Sequence, residues 1–209
     1  NRWTYTADAL YSHTLYNDFP NLQTYTYGGG ISALYSFAFF SKPAFFNLRE
    51  GATQTFLKNR NYVWSNALSG SFIVIPHNRL RTTTTYRWTY SEYDNNGLEP
   101  DFTNRDGFTN AISQQGTVYL NDKRTLYLTT GYDYERGDPL GANYVKRAHG
   151  FQEILHFPII EKVEGDINFK YKVSDYPKYA SFKDRRKDNQ FTLVTQLTRP
   201  LTKFLTLAL

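Results

Sequence analysis

Three features of the sequence predict the fold class. Apolar and polar residues alternate with a period of two, tyrosine and phenylalanine abound in a chain that is polar on average, and connections alternate between short and long. Together they point to an all-β chain folded as a transmembrane antiparallel up-and-down β-barrel. In that architecture half of each strand faces lipid, half faces a wet interior, and the two average out.

The alternation is clearest from Val163 to Val173. Val163, Gly165, Ile167, Phe169, Tyr171 and Val173 share one face, and Glu164, Asp166, Asn168, Lys170 and Lys172 the other. From Arg79 to Ser91 the pattern returns in the other phase. Leu80, Tyr86, Trp88 and Tyr90 share a face with Thr82 and Thr84, opposite Arg79, Arg81, Thr83, Thr85, Arg87, Thr89 and Ser91. From Tyr25 to Phe39 the odd positions are mostly aromatic or aliphatic and the even ones Thr, Gly and Ser. In chain order the strands are expected near 2–13, 24–40, 45–58, 62–76, 79–92, 107–120, 124–135, 143–158, 162–174, 189–198 and 201–209. The strands at 45–58 and 143–158 alternate poorly, and their facing stays open. Runs of about 9–17 residues exceed the usual ~5–6 of soluble sheets and the ~9–11 needed to cross a bilayer, so they would project beyond it.

Short connections are expected at Ser41-Lys42-Pro43, His77-Asn78, Asn121-Asp122-Lys123, Ile160-Glu161 and Arg199-Pro200. Longer ones fall between them, at 14–23, 93–106, 136–142 and 175–188; only Asn59-Arg60-Asn61 is short where a long one is due. Outer-membrane barrels segregate loops in this way, with periplasmic turns and extracellular loops. The first strand would then run outward from the periplasm. Eleven strands is odd, single-chain bacterial barrels are even, and Leu205-Thr206-Leu207-Ala208-Leu209 reads as the middle of a strand. Residues 1–209 are thus expected to be one incomplete barrel domain, with parts missing upstream and at the C-terminal end and about 12–16 strands in the whole.

Composition narrows the function classes. The 209 residues include 18 Tyr, 16 Phe and 3 Trp, no Cys and no Met. Without Cys there is no disulfide, thiolate metal site or cysteine nucleophile, which also suits an oxidising compartment. No run of 18 or more apolar residues could form a transmembrane helix. The start is neither Met nor a signal-peptide pattern, which a mature or internal piece explains as well as a cytosolic origin does. A net charge of +5, scattered along the chain, does not point to nucleic acid.

Several short motifs cluster late in the chain. They are Asp175-Tyr176 before a loop, Phe182 within it, Arg186-Lys187-Asp188, Phe191-Thr192-Leu193, and Leu197-Thr198-Arg199-Pro200-Leu201-Thr202 before a final apolar alternation. From about Tyr132 onward, roughly a third of the chain, the sequence resembles the C-terminal barrel of surface lipoprotein assembly modifiers and related proteins in which tetratricopeptide repeats precede a barrel. The resemblance implies a barrel that helps move a substrate across the outer membrane and a periplasmic repeat domain, which is not in this sequence. It leaves a lipoprotein or an exopolysaccharide open as that substrate.

Catalytic signals are sparse, and no enzyme, cofactor or metal site is expected. His149 and His156 are seven apart and should face opposite sides of one strand; no HExxH or GxSxG pattern occurs. Gly28-Gly29-Gly30 lacks the lysine and helix of a phosphate loop. It reads instead as a place to bend a strand or make room for a neighbouring side chain. Strict alternation sends Arg79, Arg81, Arg87, Glu164, Asp166, Lys170 and Lys172 inward. They would form a charged pore wall that guides a substrate, or they would simply pair across the lumen. Trp3, Tyr5, Trp64, Trp88, Tyr90, Tyr132 and Tyr134 are expected at the membrane interface or facing lipid. Tyr119 and Tyr127 fall on the polar face, where rings could line a sugar path. Lys183, Arg185, Arg186 and Lys187 form a basic loop on the expected extracellular side. That loop would either touch lipopolysaccharide phosphates or be simply solvated.

Three functions fit these features: an outer-membrane barrel exporting a macromolecule, a passive porin-like channel, or a soluble β-sheet binding module. An upstream helical-repeat segment would favour the first and a signal peptide directly before the barrel the second. A polar second face would favour the third, and the aromatic faces oppose it. The expected partners are outer-membrane lipid, lipopolysaccharide and a periplasmic repeat domain.

Overall fold

A computed structural model describes residues 2–14, 23–58, 60–94, 104–141, 144–160, 163–177, 185–200 and 206–208. They form one antiparallel sheet of eleven strands in strict sequence order. The strands are β1 (Trp3–Thr14), β2 (Thr24–Phe39), β3 (Lys42–Leu57), β4 (Arg60–His77), β5 (Leu80–Tyr93) and β6 (Gly107–Tyr119). They continue with β7 (Tyr127–Pro139), β8 (Lys146–Ile160), β9 (Val163–Tyr176), β10 (Arg186–Pro200) and β11 (Thr206–Ala208). Among the described residues β1 pairs only with β2 and β11 only with β10, so the sheet is open at both edges and not closed into a barrel.

The strand boundaries shift from expectation where turn chemistry decides them. Between β2 and β3 only Phe40 and Ser41 turn, both in the left-handed region at φ 47° and 60°. Such a turn matches the right-handed twist of the flanking strands. It draws Lys42 and Pro43, expected in the turn, into β3 opposite Phe39 and Ala38. Asn121 holds the connection before β7. Its carbonyl oxygen accepts from the backbone N–H of Thr125 at 3.0 Å and of Leu126 at 3.2 Å, while its amide donates to the Thr125 hydroxyl at 2.9 Å. β7 therefore starts at Tyr127 rather than at residue 124. Arg79 sits in the turn before β5 and donates to Asp122 of the next turn at 2.5 Å.

Register places every second residue of neighbouring strands on a common face. One row runs Asp8, Gly30, Gly51, Ala67, Thr89, Thr109, Gly137, Lys146, all small or polar. The parallel row on the other face runs Ala33, Leu48, Gly70, Tyr86, Ile112, Tyr134, His149, Val173. A single cavity of about 740 Å³ is lined by Asp8 in β1, Arg49 in β3, Arg87 in β5 and Glu135 in β7, so the sheet curls toward the small, polar face. That face is the concave one.

Among the described residues no second layer covers either face. The buried apolar residues are Ala44 and Ala148, and no large side chain is fully buried among the described residues. The accessible surface is 14535 Å² for a chain of 24.4 kDa. A compact soluble monomer of that mass exposes about 10,000 Å². On the convex face Tyr5, Ile31, Leu193 and Phe191 are each more than 60% exposed.

Candidate functional site: the concave face

The concave face is knit together by hydroxyl pairs and ion pairs. Thr26 meets Thr55 at 3.0 Å, Ser65 meets Ser91 at 2.8 Å, Ser71 meets Thr85 at 2.9 Å and Thr117 meets Thr129 at 2.9 Å, each across one strand boundary. The ion pairs reach further. Arg49 of β3 grips Asp8 of β1 through two hydrogen bonds, 2.6 and 2.8 Å, passing over β2. A side chain at Gly30 would block the path, because a Cβ there would lie 2.9 Å from the Arg49 guanidinium. The glycine run thus makes room for a neighbouring side chain, as its composition suggests. Gly150 gives similar room to the Asp133 carboxylate, and Gly28 to Thr53.

Glu135 of β7 accepts from Lys146 of β8 at 2.5 Å and from Lys172 of β9 at 2.8 Å. His156 meets Asp166 at 2.8 Å and Glu164 at 3.8 Å, and stacks on Tyr127 at 4.5 Å. Tyr127 in turn packs edge-on against Tyr119, whose ring lies 5.3 Å from the Arg124 guanidinium. Arg81 reaches Thr117 at 3.5 Å and lines a cavity of about 310 Å³ with Tyr127 and Asp166.

Of the residues expected to point inward, Arg81, Arg87, Glu164, Asp166, Lys170 and Lys172 lie on the concave face by register. Arg79 lies in a turn at the rim. Asp8, Arg49, Glu135 and Lys146 complete the ion-pair network but were not legible in the sequence. Arg49 and Glu50 stand side by side in the strand whose facing is ambiguous, and Glu135 closes an expected strand that actually runs on to Pro139. Tyr119 and Tyr127 are on the concave face.

Trp3, Tyr5, Trp64, Trp88, Tyr90, Tyr132 and Tyr134 all occupy the convex face. Trp64, Trp88, Tyr90 and Phe108 form a ring cluster toward the long-loop ends, while Tyr132 lies mid-strand and meets His149 Nδ1 at 2.7 Å. His149 and His156 face opposite sides, as an odd spacing along a strand requires. Convex polar groups are mostly paired: Tyr86 donates to Asn110 at 2.5 Å and Thr84 bonds Gln114. Glu50 and Glu153, at the centres of β3 and β8, have no such partner among the described residues.

The basic run beyond β9 differs from a free loop. Arg186 and Lys187 belong to β10, paired with Tyr176 and Asp175. Arg185 ion-pairs with Asp175, and Arg186 pairs with Asp188 at 2.7 Å. Local carboxylates therefore match much of the charge expected for phosphates. Lys183 lies outside the described residues.

A tyrosine cluster marks the long-loop rim of the concave face. Arg105, just before β6, donates to the Tyr62 hydroxyl at 3.1 Å and the Tyr144 hydroxyl at 3.3 Å, and its guanidinium lies 4.8 Å from the Tyr144 ring centre. The hydrogen bond to Tyr144 raises the Arg105 pKa above its ordinary value. Beside it is a cavity of about 180 Å³ lined by Tyr93, Tyr144, Tyr176, Arg105 and Lys146.

Among the described residues no group of three or more His, Cys, Asp or Glu is placed to hold a metal ion. No family model, curated protein or solved structure matches the chain.

Proposed function

We propose that this chain forms wall of an outer-membrane β-barrel that carries a macromolecule, a lipoprotein or a polysaccharide, across the bacterial outer membrane. The observation that carries the reading is the sustained division of faces. Across ten consecutive strands one face is mostly small, hydroxylated or ion-paired and the other mostly aromatic and aliphatic. In water a single layer with an uncovered aromatic face would forgo the burial that stabilises ordinary domains. A bilayer supplies that cover, and closure by further strands would satisfy the free edges, which lipid does not tolerate. Short links at Phe40-Ser41 and Asn78-Arg79, set against the long ones at 94–106 and 177–185, fit periplasmic turns and extracellular loops.

The resemblance to surface lipoprotein assembly modifier barrels favours export over passive diffusion. A passive porin-like channel is the second reading, favoured by the balanced ion pairs of the concave face, which suit the wall of a watery pore.

The test is extraction and heat-modifiability of the full-length protein from fractionated envelopes. The barrel should require detergent, stay folded in cold SDS and change gel mobility on boiling. A protein that is soluble without detergent and shows no mobility change would overturn the membrane reading. Steady open-pore conductance in planar bilayers, with no envelope defect on deletion, would favour the porin.

A further inference from the structure

The geometry points to an acidic-sugar subsite at the long-loop rim of the concave face, formed by Tyr93, Tyr144 and Tyr176 with Arg105. The inference rests on the barrel reading and narrows its cargo to a glycan that carries carboxylates.

Four observations converge here. The cavity, about 180 Å³, is of the order of one sugar ring, and Gly107 and Gly137 are part of its lining. Three tyrosines from the ends of β5 and β9 and the residues before β8 line it, with the Arg105 guanidinium over the Tyr144 ring and the Arg186 guanidinium over the Tyr176 ring. Arg105 is pinned by Tyr62 and Tyr144 through two of its nitrogens, while a guanidinium has five N–H donors. No carboxylate pairs with it among the described residues, in contrast to Arg49, Arg79, Arg136, Arg185 and Arg186. A cation preorganised against a ring, with N–H donors beyond those two hydrogen bonds, suits a planar carboxylate, which arginine binds in a forked geometry. Finally, the opposite end of the same face also sets arginines beside tyrosines, Arg124 against Tyr119 and Arg81 in one cavity with Tyr127, there with Asp166 in the lining. The stretch between them is lined mostly by small and hydroxylated residues, with Asp8, Arg49, Arg87 and Glu135 among them. A hydroxyl-rich, acidic ring fits the rim cavity, and hydroxylated residues continue along the face beyond it.

The experiment is a binding titration of the full-length protein in detergent with oligogalacturonate, its fully methyl-esterified form, cellohexaose and a lipoprotein-derived peptide. The acid should bind, weaken with salt, and exceed its ester about tenfold, the worth of one charge-assisted hydrogen bond. Arg105→Gln should lower affinity for the acid about tenfold and leave the ester unchanged, and Tyr144→Ala should weaken both. Equal binding of acid and ester, binding of the peptide but not the glycan, or displacement of the acid by millimolar inorganic phosphate would each overturn the proposal. The comparison of acid with ester needs no variant, so a substitution that prevents folding cannot mask the answer. Gel mobility on boiling, read on the same preparations, reports the barrel separately: a heat-modifiable protein that ignores the acid refutes the subsite alone.

Discussion

Placing an arginine at Ile112 or at Ser113 tests the assignment of faces with adjacent residues. Ile112 lies near the centre of β6 on the convex face, between Tyr86 and Tyr134 in register. Ser113 lies on the concave face between Thr85 and Asp133. If the convex face meets lipid, Ile112→Arg puts a charge near the bilayer midplane, at a cost of about 2–4 kcal/mol. That lowers the folding equilibrium constant about 30- to 1,000-fold. Ser113→Arg enters a wet face beside the Asp133 carboxylate and should stay within about 0.5 kcal/mol of the parent. The assay is equilibrium refolding of the full-length protein from guanidinium into phospholipid vesicles, followed by tryptophan fluorescence and gel mobility. Ile112 is 47% exposed, so if that face met water Ile112→Arg would cost little. Equal, small effects of the two arginines would refute the lipid-facing assignment, and a larger cost at Ser113 would invert the faces.

Three further outcomes follow from single contacts. Glu50→Leu removes a carboxylate that has no partner among the described residues from the centre of β3 on the convex face and should stabilise the vesicle-inserted protein by up to about 2 kcal/mol, read in the same refolding assay. Gly30→Val sets a side chain against the Glu50 carbonyl oxygen, 2.8 Å from its Cβ, and against Arg49. It should cost about 1–3 kcal/mol, whereas Gly116→Ala, which meets nothing within 4 Å, should change stability far less. Glu135→Gln leaves the Lys146 and Lys172 ammoniums without their counter-charge. Stability should fall by about 1–3 kcal/mol in urea unfolding, and any conductance in planar bilayers should move toward anions.

The sequence by itself determined the strands and, for most of them, their faces. Side-chain direction along a strand follows from parity alone, so Val163–Val173 or Arg79–Ser91 reveal their two faces without knowledge of any neighbour. Parity fails where each face holds a few residues of the wrong kind. In β3 Phe45 and Leu57 lie on the concave face and Glu50 on the convex one, and in β8 Ile154 is concave and Glu153 convex. Only pairing with β2, β4, β7 and β9 resolves them. Turn positions moved for a similar reason: backbone twist and the Asn121 side chain, not residue class, set the ends of β2 and β7. The tertiary structure alone decided which residues meet. Asp8 and Arg49 are far apart in sequence and join only because two registers align them across Gly30. Glu135, Lys146 and Lys172 converge by the same route, as do Tyr62, Arg105 and Tyr144 at the rim. Alternation is a property of neighbours along one chain segment, whereas register is a relation between segments. The contacts that give the concave face its chemistry depend on the second.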